Sequence, residues 1–131
     1  MKVFIDASAL VGIVADEPDR AELLRRLDDG SERLWSALTG WEAVSALHNV
    51  YKRPLDIARG RVTAFAEMFD LATVTIGGPE LSTALDAYQT YGKGRHRAGL
   101  NFGDCFAYAC AKTNNARLLY KGDDFAHTDL A

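Results

Sequence analysis

Cysteine is scarce in this 131-residue chain: Cys105 and Cys110 are the only two, five positions apart. That spacing matches neither a CxxC zinc or redox motif nor a secreted disulfide framework. Both fall on the apolar face of an expected helix, which predicts core thiols in a reducing cytoplasm. The three prolines and eleven glycines are not clustered, and no linker, internal repeat or low-complexity stretch is present. No apolar run is long enough to cross a bilayer, and an apolar strand opens within three residues of Met1, so neither a membrane span nor a signal peptide is expected. GxGxxG and GxxxxGK[ST] are both absent, which removes the usual nucleotide cradles. Ser8 lacks a nucleophile elbow, and His48, His96 and His127 have no partner spacing, so no covalent catalytic site is indicated. Positive charge is not in excess either, with 15 Lys and Arg against 18 Asp and Glu. A globally basic nucleic-acid binder gains no support from this balance, although Lys93, Arg95, His96 and Arg97 form a local basic group and Arg59 and Arg61 a smaller one.

What is present is a chain with 48% apolar residues, enough for one compact domain over residues 1–131 to bury roughly two-thirds of its unfolded surface without a disulfide or structural metal. Val3-Phe4-Ile5 reads as a buried strand. Helices are expected from Ser8 to Ala15 and from about Pro18 to Asp28, then a short strand at Leu34-Trp35. A helix opening at Thr39 carries Val44, Leu47 and Tyr51, and another runs from about Leu55 to Phe69. Thr73 to Ile76 shows the clearest β-alternation, and a helix from about Pro79 to Tyr91 follows. Beyond the basic loop, Phe102, Cys105, Phe106, Ala109 and Cys110 recur at i, i+3, i+4, i+7 and i+8, and Arg117 to Tyr120 reads as the last strand. This alternation predicts a parallel sheet covered on both faces, with ligands collecting beyond the carboxyl ends of its strands.

Four acidic stations fall at strand ends or helix starts: Asp6, Glu42, Asp104, and the pair Asp123-Asp124. Each has a structural explanation of its own. Thr39 to Glu42 matches a capping box, and Asn101 to Asp104 another; Asp6 suits a helix cap or Asx-turn, and Gly122-Asp123-Asp124 a turn. Caps do not explain why two apolar strands also run into acids. A carboxylate at the end of a buried strand is costly unless a cation gathers it with others. If the four segments converge, they form an all-oxygen pocket suited to Mg²⁺ or Mn²⁺ and to phosphodiester cleavage.

The opening Val3-Phe4-Ile5-Asp6-Ala7-Ser8-Ala9-Leu10 resembles that of PIN-domain ribonucleases. Glu42 in its helix start, Asn101-Phe102-Gly103-Asp104-Cys105-Phe106 and Leu118-Leu119-Tyr120-Lys121-Gly122-Asp123-Asp124-Phe125 supply the other stations in the same order. The length and the segment Tyr91 to Phe106 are most similar to VapC-type toxins of VapBC toxin–antitoxin pairs. The resemblance implies a three-layer α/β/α fold with a central, mainly parallel sheet, and a Mg²⁺- or Mn²⁺-dependent endoribonuclease acting as a toxin in the cytoplasm. It implies Asp6 and Asp104 as metal ligands and Glu42 as the acid completing the inner site. Gly122 falls where many relatives carry an acid or Asn, so Asp124, before Phe125, is the fourth acid, with Asp123 as its substitute. Ser8 serves the second shell, the substrate or simply the helix start. Lys93, Arg95 and Arg97 are candidates for RNA phosphate contacts. A VapB-like antitoxin segment in a groove walled by Val11 to Leu27 and Trp41 to Tyr51 is implied, as is a homodimer. Trp35 and Trp41 read as core or interface packing. A housekeeping PIN nuclease, a DNA-directed nuclease and a silent PIN scaffold remain open on sequence alone.

Overall fold

The computed structural model describes residues 1–131. The elements run β1 (Lys2–Ile5), α1 (Ala7–Val14), α2 (Arg20–Asp28), β2 (Glu32–Trp35), α3 (Ala37–Asn49), α4 (Leu55–Met68), β3 (Ala72–Thr73), α5 (Gly78–Tyr91), α6 (Phe102–Thr113) and β4 (Arg117–Leu119). The sheet order is β3-β2-β1-β4, and every pairing is parallel. Successive strand residues point to opposite faces, and the burial follows that rule. Val3, Ile5 and Leu119 enter one core with residues of α1 to α4, whereas Phe4, Leu34 and Leu118 enter a second core with α5 and α6. The result is the expected α/β/α sandwich with a parallel centre.

Two expected elements change. The alternation from Thr73 to Ile76 yields only the two-residue β3, exposed at the sheet edge. The Val74 amide still donates to Trp35 O at 2.9 Å, but no fifth strand lies outside to extend the ladder, and the chain turns away into α5. The third helix starts earlier than Thr39. The Ser36 hydroxyl accepts the Thr39 amide at 3.2 Å, and Thr39 Oγ1 accepts the Ser36 amide at 3.3 Å, so the capping box is Ser36/Thr39. Glu42 therefore lies inside the helix and caps nothing. Pro18 likewise precedes its helix, whose N-cap is Asp19. Cys105 and Cys110 are buried free thiols, as expected. Trp35 lies against Gly40, but Trp41 is 74% exposed on α3 and belongs to no core.

The chain winds from β1 outward through β2 to β3 and then returns to the other side of β1 with β4. The carboxyl ends of β1 and β4 thus form the reversal point of an open parallel sheet, where such folds leave a crevice.

Candidate active site

Asp6 follows β1 at that crevice. It is the N-cap of α1: its Oδ2 accepts the Ser8 amide at 3.0 Å and the Ser8 hydroxyl at 2.6 Å. Ser8 Oγ in turn accepts the Lys121 amide at 3.0 Å. The first and last strands are tied directly as well, through the Asp6 amide and Leu119 O at 2.9 Å. Ser8 therefore orients Asp6 and registers it against the segment after β4.

Asp104 sits in the first turn of α6, in the expected capping box. Asn101 Oδ1 accepts the Asp104 amide at 2.9 Å, and Asp104 Oδ2 accepts the Asn101 amide at 3.1 Å. One oxygen is held by the cap, and the other accepts no hydrogen bond within the chain. Glu42 reaches the same place from α3. Its carboxylate lies over the Cα of Gly103, where an added Cβ would stand 1.9 Å from Oε2. Gly103 is thus a seat for Glu42, a role no spacing rule in the sequence announces.

Asp6, Glu42 and Asp104 line one cavity of about 480 Å³ together with Ser8, Glu17 and Lys121, and with Val11, Ala46, Val50 and Tyr51 as an apolar wall. The carboxylates oppose one another. Burial, then the charge of Asp6, pushes Glu42 up to about 7. Burial raises Asp104 to about 7 against the Asn101 hydrogen bond, with Asp124, Asp6 and Glu42 adding to the rise. Burial also raises Asp6, with the Ser8 hydrogen bonds opposing and Asp124 reinforcing. Of the last two acids, Asp124 is the one whose charge bears on Asp6 and Asp104. Asp123 and Asp124 are both exposed, beside the buried Phe125. Gly122 has φ +93, a left-handed conformation that disfavours a residue with a Cβ.

Lys93, Arg95 and Arg97 are not brought to the cavity. All three are exposed on the loop closed by the Gly92–Leu100 bridge, and Arg95 lies over the Tyr88 ring at 5.1 Å. His96 is turned inward locally, accepting the Ala98 amide at 3.0 Å.

The donor set around the cavity is all oxygen. No three acidic, imidazole or thiol groups form a closed coordination cluster. Two or three carboxylates with positions left open for water and phosphate nonetheless suit Mg²⁺ or Mn²⁺, which bind through few protein ligands. The fit rests on mutual repulsion of partly buried carboxylates that no cation of the chain neutralises on the Asp6–Glu42–Asp104 side.

Burial of these carboxylates, with their repulsion added, has a measurable consequence. Glu42 and Asp104 bind protons more tightly folded than unfolded, from ordinary values of 4.5 and 3.8 to about 7. Stability is then highest below the ordinary values and is lost as pH rises through 7. Both groups keep contact with water, so screening reduces the loss to about 1–2 kcal/mol. Melting in EDTA is expected to fall by several degrees between about pH 5 and pH 8. The drop should shrink in Glu42→Gln; an unchanged pH slope in that variant would contradict the repulsive cluster.

A parallel α/β/α sandwich with acids gathered at its reversal point is the arrangement that PIN-like folds share with other open α/β sheets. The PIN domain family matches residues 3–130. The chain is 42% identical to VapC ribonuclease R02377 of Rhizobium meliloti, covering 97% of this chain and 98% of the relative. It is 40% identical to VapC ribonuclease Mb0640 of Mycobacterium bovis, covering 97% and 95%, and 40% identical to a ribonuclease VapC of Mycolicibacterium smegmatis, covering 97% and 96%. Among solved structures, Mycobacterium tuberculosis VapC20, described as a sarcin-ricin loop cleaving toxin, superimposes with a TM-score of 0.72 at 13% identity, over 95% of this chain and 92% of that one. The chain belongs to the PIN-domain family, within its VapC ribonuclease branch. No helix is long and apolar enough to cross a membrane.

Proposed function

We propose that this protein is a divalent-metal-dependent endoribonuclease, the toxin of a VapBC-type pair, that hydrolyses RNA by attack of an activated water. The observation that carries the reading is the convergence of Asp6, Glu42 and Asp104 from three distant segments on one cavity, in an arrangement whose charges resist one another. A structural role gives no reason for such a cluster; a cation site does.

Asp6 and Asp104 are the residues that would hold the ion, with Glu42 completing the set directly or through water. Bound there, Mg²⁺ or Mn²⁺ supplies Lewis acidity, lowering the pKa of a water and offsetting charge on the phosphate. The protein does the positioning. Ser8 fixes Asp6, Asn101 fixes Asp104, and Gly103 seats Glu42. Glu42, seated over Gly103 beside Asp6 and Asp104, is placed to orient the attacking water and accept its proton. Asp124 adds its charge at the exposed rim. In-line attack leaves a 5′-phosphate and a 3′-hydroxyl.

The apolar wall of Val11, Ala46, Val50 and Tyr51 beside the acids suits an antitoxin segment with apolar anchors and an Arg or Lys that enters the cluster. A homodimer belongs to the same reading, and the exposed Leu81, Leu85 and Phe102 on α5 and α6 provide the apolar face it needs.

Purified protein incubated with a structured RNA pool should give discrete cuts with Mg²⁺ or Mn²⁺ and none in EDTA. A matched DNA pool should stay intact. Absence of RNA cleavage with both ions, in protein shown to be folded, would overturn the reading.

A further inference from the structure

One cationic side chain lines the acidic cavity, and the mechanism above does not use it. Lys121 follows β4, and its backbone amide is the donor to Ser8 Oγ at 3.0 Å. Ser8 Oγ donates to Asp6 at 2.6 Å, so Lys121 is registered to the Asp6 carboxylate through a single hydroxyl. Its ammonium lies 2.7 Å from Glu17 Oε1 and 3.1 Å from Asp19 Oδ1. The Tyr51 hydroxyl holds the other oxygen of Glu17. The stem passes Gly12, where an added Cβ would stand 3.5 Å from Lys121 Cδ and 3.1 Å from Glu17 Oε1.

Stability alone is a weak account of this arrangement. The Lys121 side chain is 33% exposed, so water screens part of what its ion pairs contribute. The cavity also has an electrostatic problem: Asp6, Glu17, Glu42 and Asp104 line it, and the substrate under the proposed function is a polyanion. A cation at the scissile phosphate addresses one charge but not the next phosphate along the strand. The loop cations Lys93, Arg95 and Arg97 do not line the cavity. Lys121 does.

We propose that Lys121 is a substrate-binding residue: its ammonium contacts a non-bridging oxygen of the RNA phosphate next to the one being cut, while Glu17 and Asp19 hold the side chain ready and compete with RNA for it. This rests on the ribonuclease reading and deepens it. Lys121 is a cation held within a net-negative cluster with Glu17 and Asp19, and RNA draws it out of that ion pair.

The test compares two variants with opposite expected signs in steady-state RNA cleavage. Lys121→Met keeps the apolar stem and removes the charge. Its KM is expected to rise about tenfold with kcat within about twofold of wild type, and the slope of log affinity against log salt to fall by about one. The double variant Glu17→Gln, Asp19→Asn frees the ammonium, and its KM is expected to fall severalfold. A merely structural ion pair predicts the reverse for the second variant: both changes lower Tm, and neither lowers KM. Unchanged KM and salt slope in Lys121→Met would overturn the proposal. If Lys121→Met does not fold, the double variant decides, because an unchanged or higher KM there overturns the proposal by itself. Wild-type protein that cleaves no RNA overturns the ribonuclease reading and this inference with it. Wild-type cleavage with indifferent Lys121 kinetics overturns this inference alone.

Discussion

Asp104→Asn is expected to lower RNA cleavage by about three orders of magnitude while making the metal-free protein more stable near pH 8. The magnitude follows from removing a charged ligand that contributes roughly 4 kcal/mol to the transition state. The stability change has the opposite sign for a separate reason. Asp104 is buried among Asp6, Glu42 and Asp124 and is pushed up to about 7, so its ionised form opposes folding above that pH. Asparagine keeps an oxygen to accept the Asn101 amide, which preserves the capping geometry of α6. A helix cap with no further role would behave differently: loss of the carboxylate at the positive end of the helix dipole would cost stability, and cleavage would be spared. Cleavage assays and melting curves at about pH 8 in EDTA, on the same preparations, separate the two. Retention of full activity would remove Asp104 from the site.

Gly103→Ala is expected to lower cleavage about a hundredfold with little loss of stability. Alanine is the better helix former by roughly 1 kcal/mol, and position 103 lies within the first turn of α6, so propensity alone predicts a more stable protein. The new Cβ would meet Glu42 Oε2 at 1.9 Å and Cδ at 2.6 Å. Those atoms are the end of a flexible side chain, which can swing away without unfolding α3. The consequence is displacement of Glu42 from the cavity, and misplacing a catalytic group by about 1 Å costs rate on the order of 10²-fold. The double variant Glu42→Gln, Gly103→Ala should be no slower than Glu42→Gln, because both changes act on one carboxylate. Additive losses would show that Gly103 acts by some other route.

Much of this site was legible before any coordinates, and the parts that were not have physical reasons. Asp6 and the Asn101–Asp104 box were readable because capping and strand termination are local chemistry, confined to a few successive residues. For Glu42 a Thr39 box competed with the acidic-site reading, because Thr39-Gly40-Trp41-Glu42 also satisfies the motif. Ser36, three residues upstream, competes for the same helix and wins with a hydroxyl pair reciprocated by Thr39. The edge strand was overdrawn because alternation measures amphipathicity, and whether a ladder forms depends on a neighbour outside the segment. Gly103 and Lys121 were invisible for a stronger reason. Their roles are contacts with Glu42, Glu17 and Ser8, which lie far away in the chain and meet only through tertiary packing. The basic loop is different: a run of cations is conspicuous in one dimension, and its anchoring at Gly92 and Leu100 leaves Lys93, Arg95 and Arg97 exposed away from the cavity, where only RNA beyond the cut site would reach them.

Asp6 and Glu42 arise on one side of the sheet and Asp104 on the other, and β4 joins β1 only after α6 is complete. A ribosome delivering this chain from its N-terminus therefore releases two of the acids long before the third. Until α6 is made, Glu42 has no Gly103 to rest on, and until β4 is made the Asp6 amide has no Leu119 carbonyl to meet. A translation product broken off early carries the first acids on an open surface, where water screens them and no cutting centre exists. Under the proposed function, the cutting centre is complete only when the last strand is in place, and no shorter product of synthesis would cleave the RNA around it.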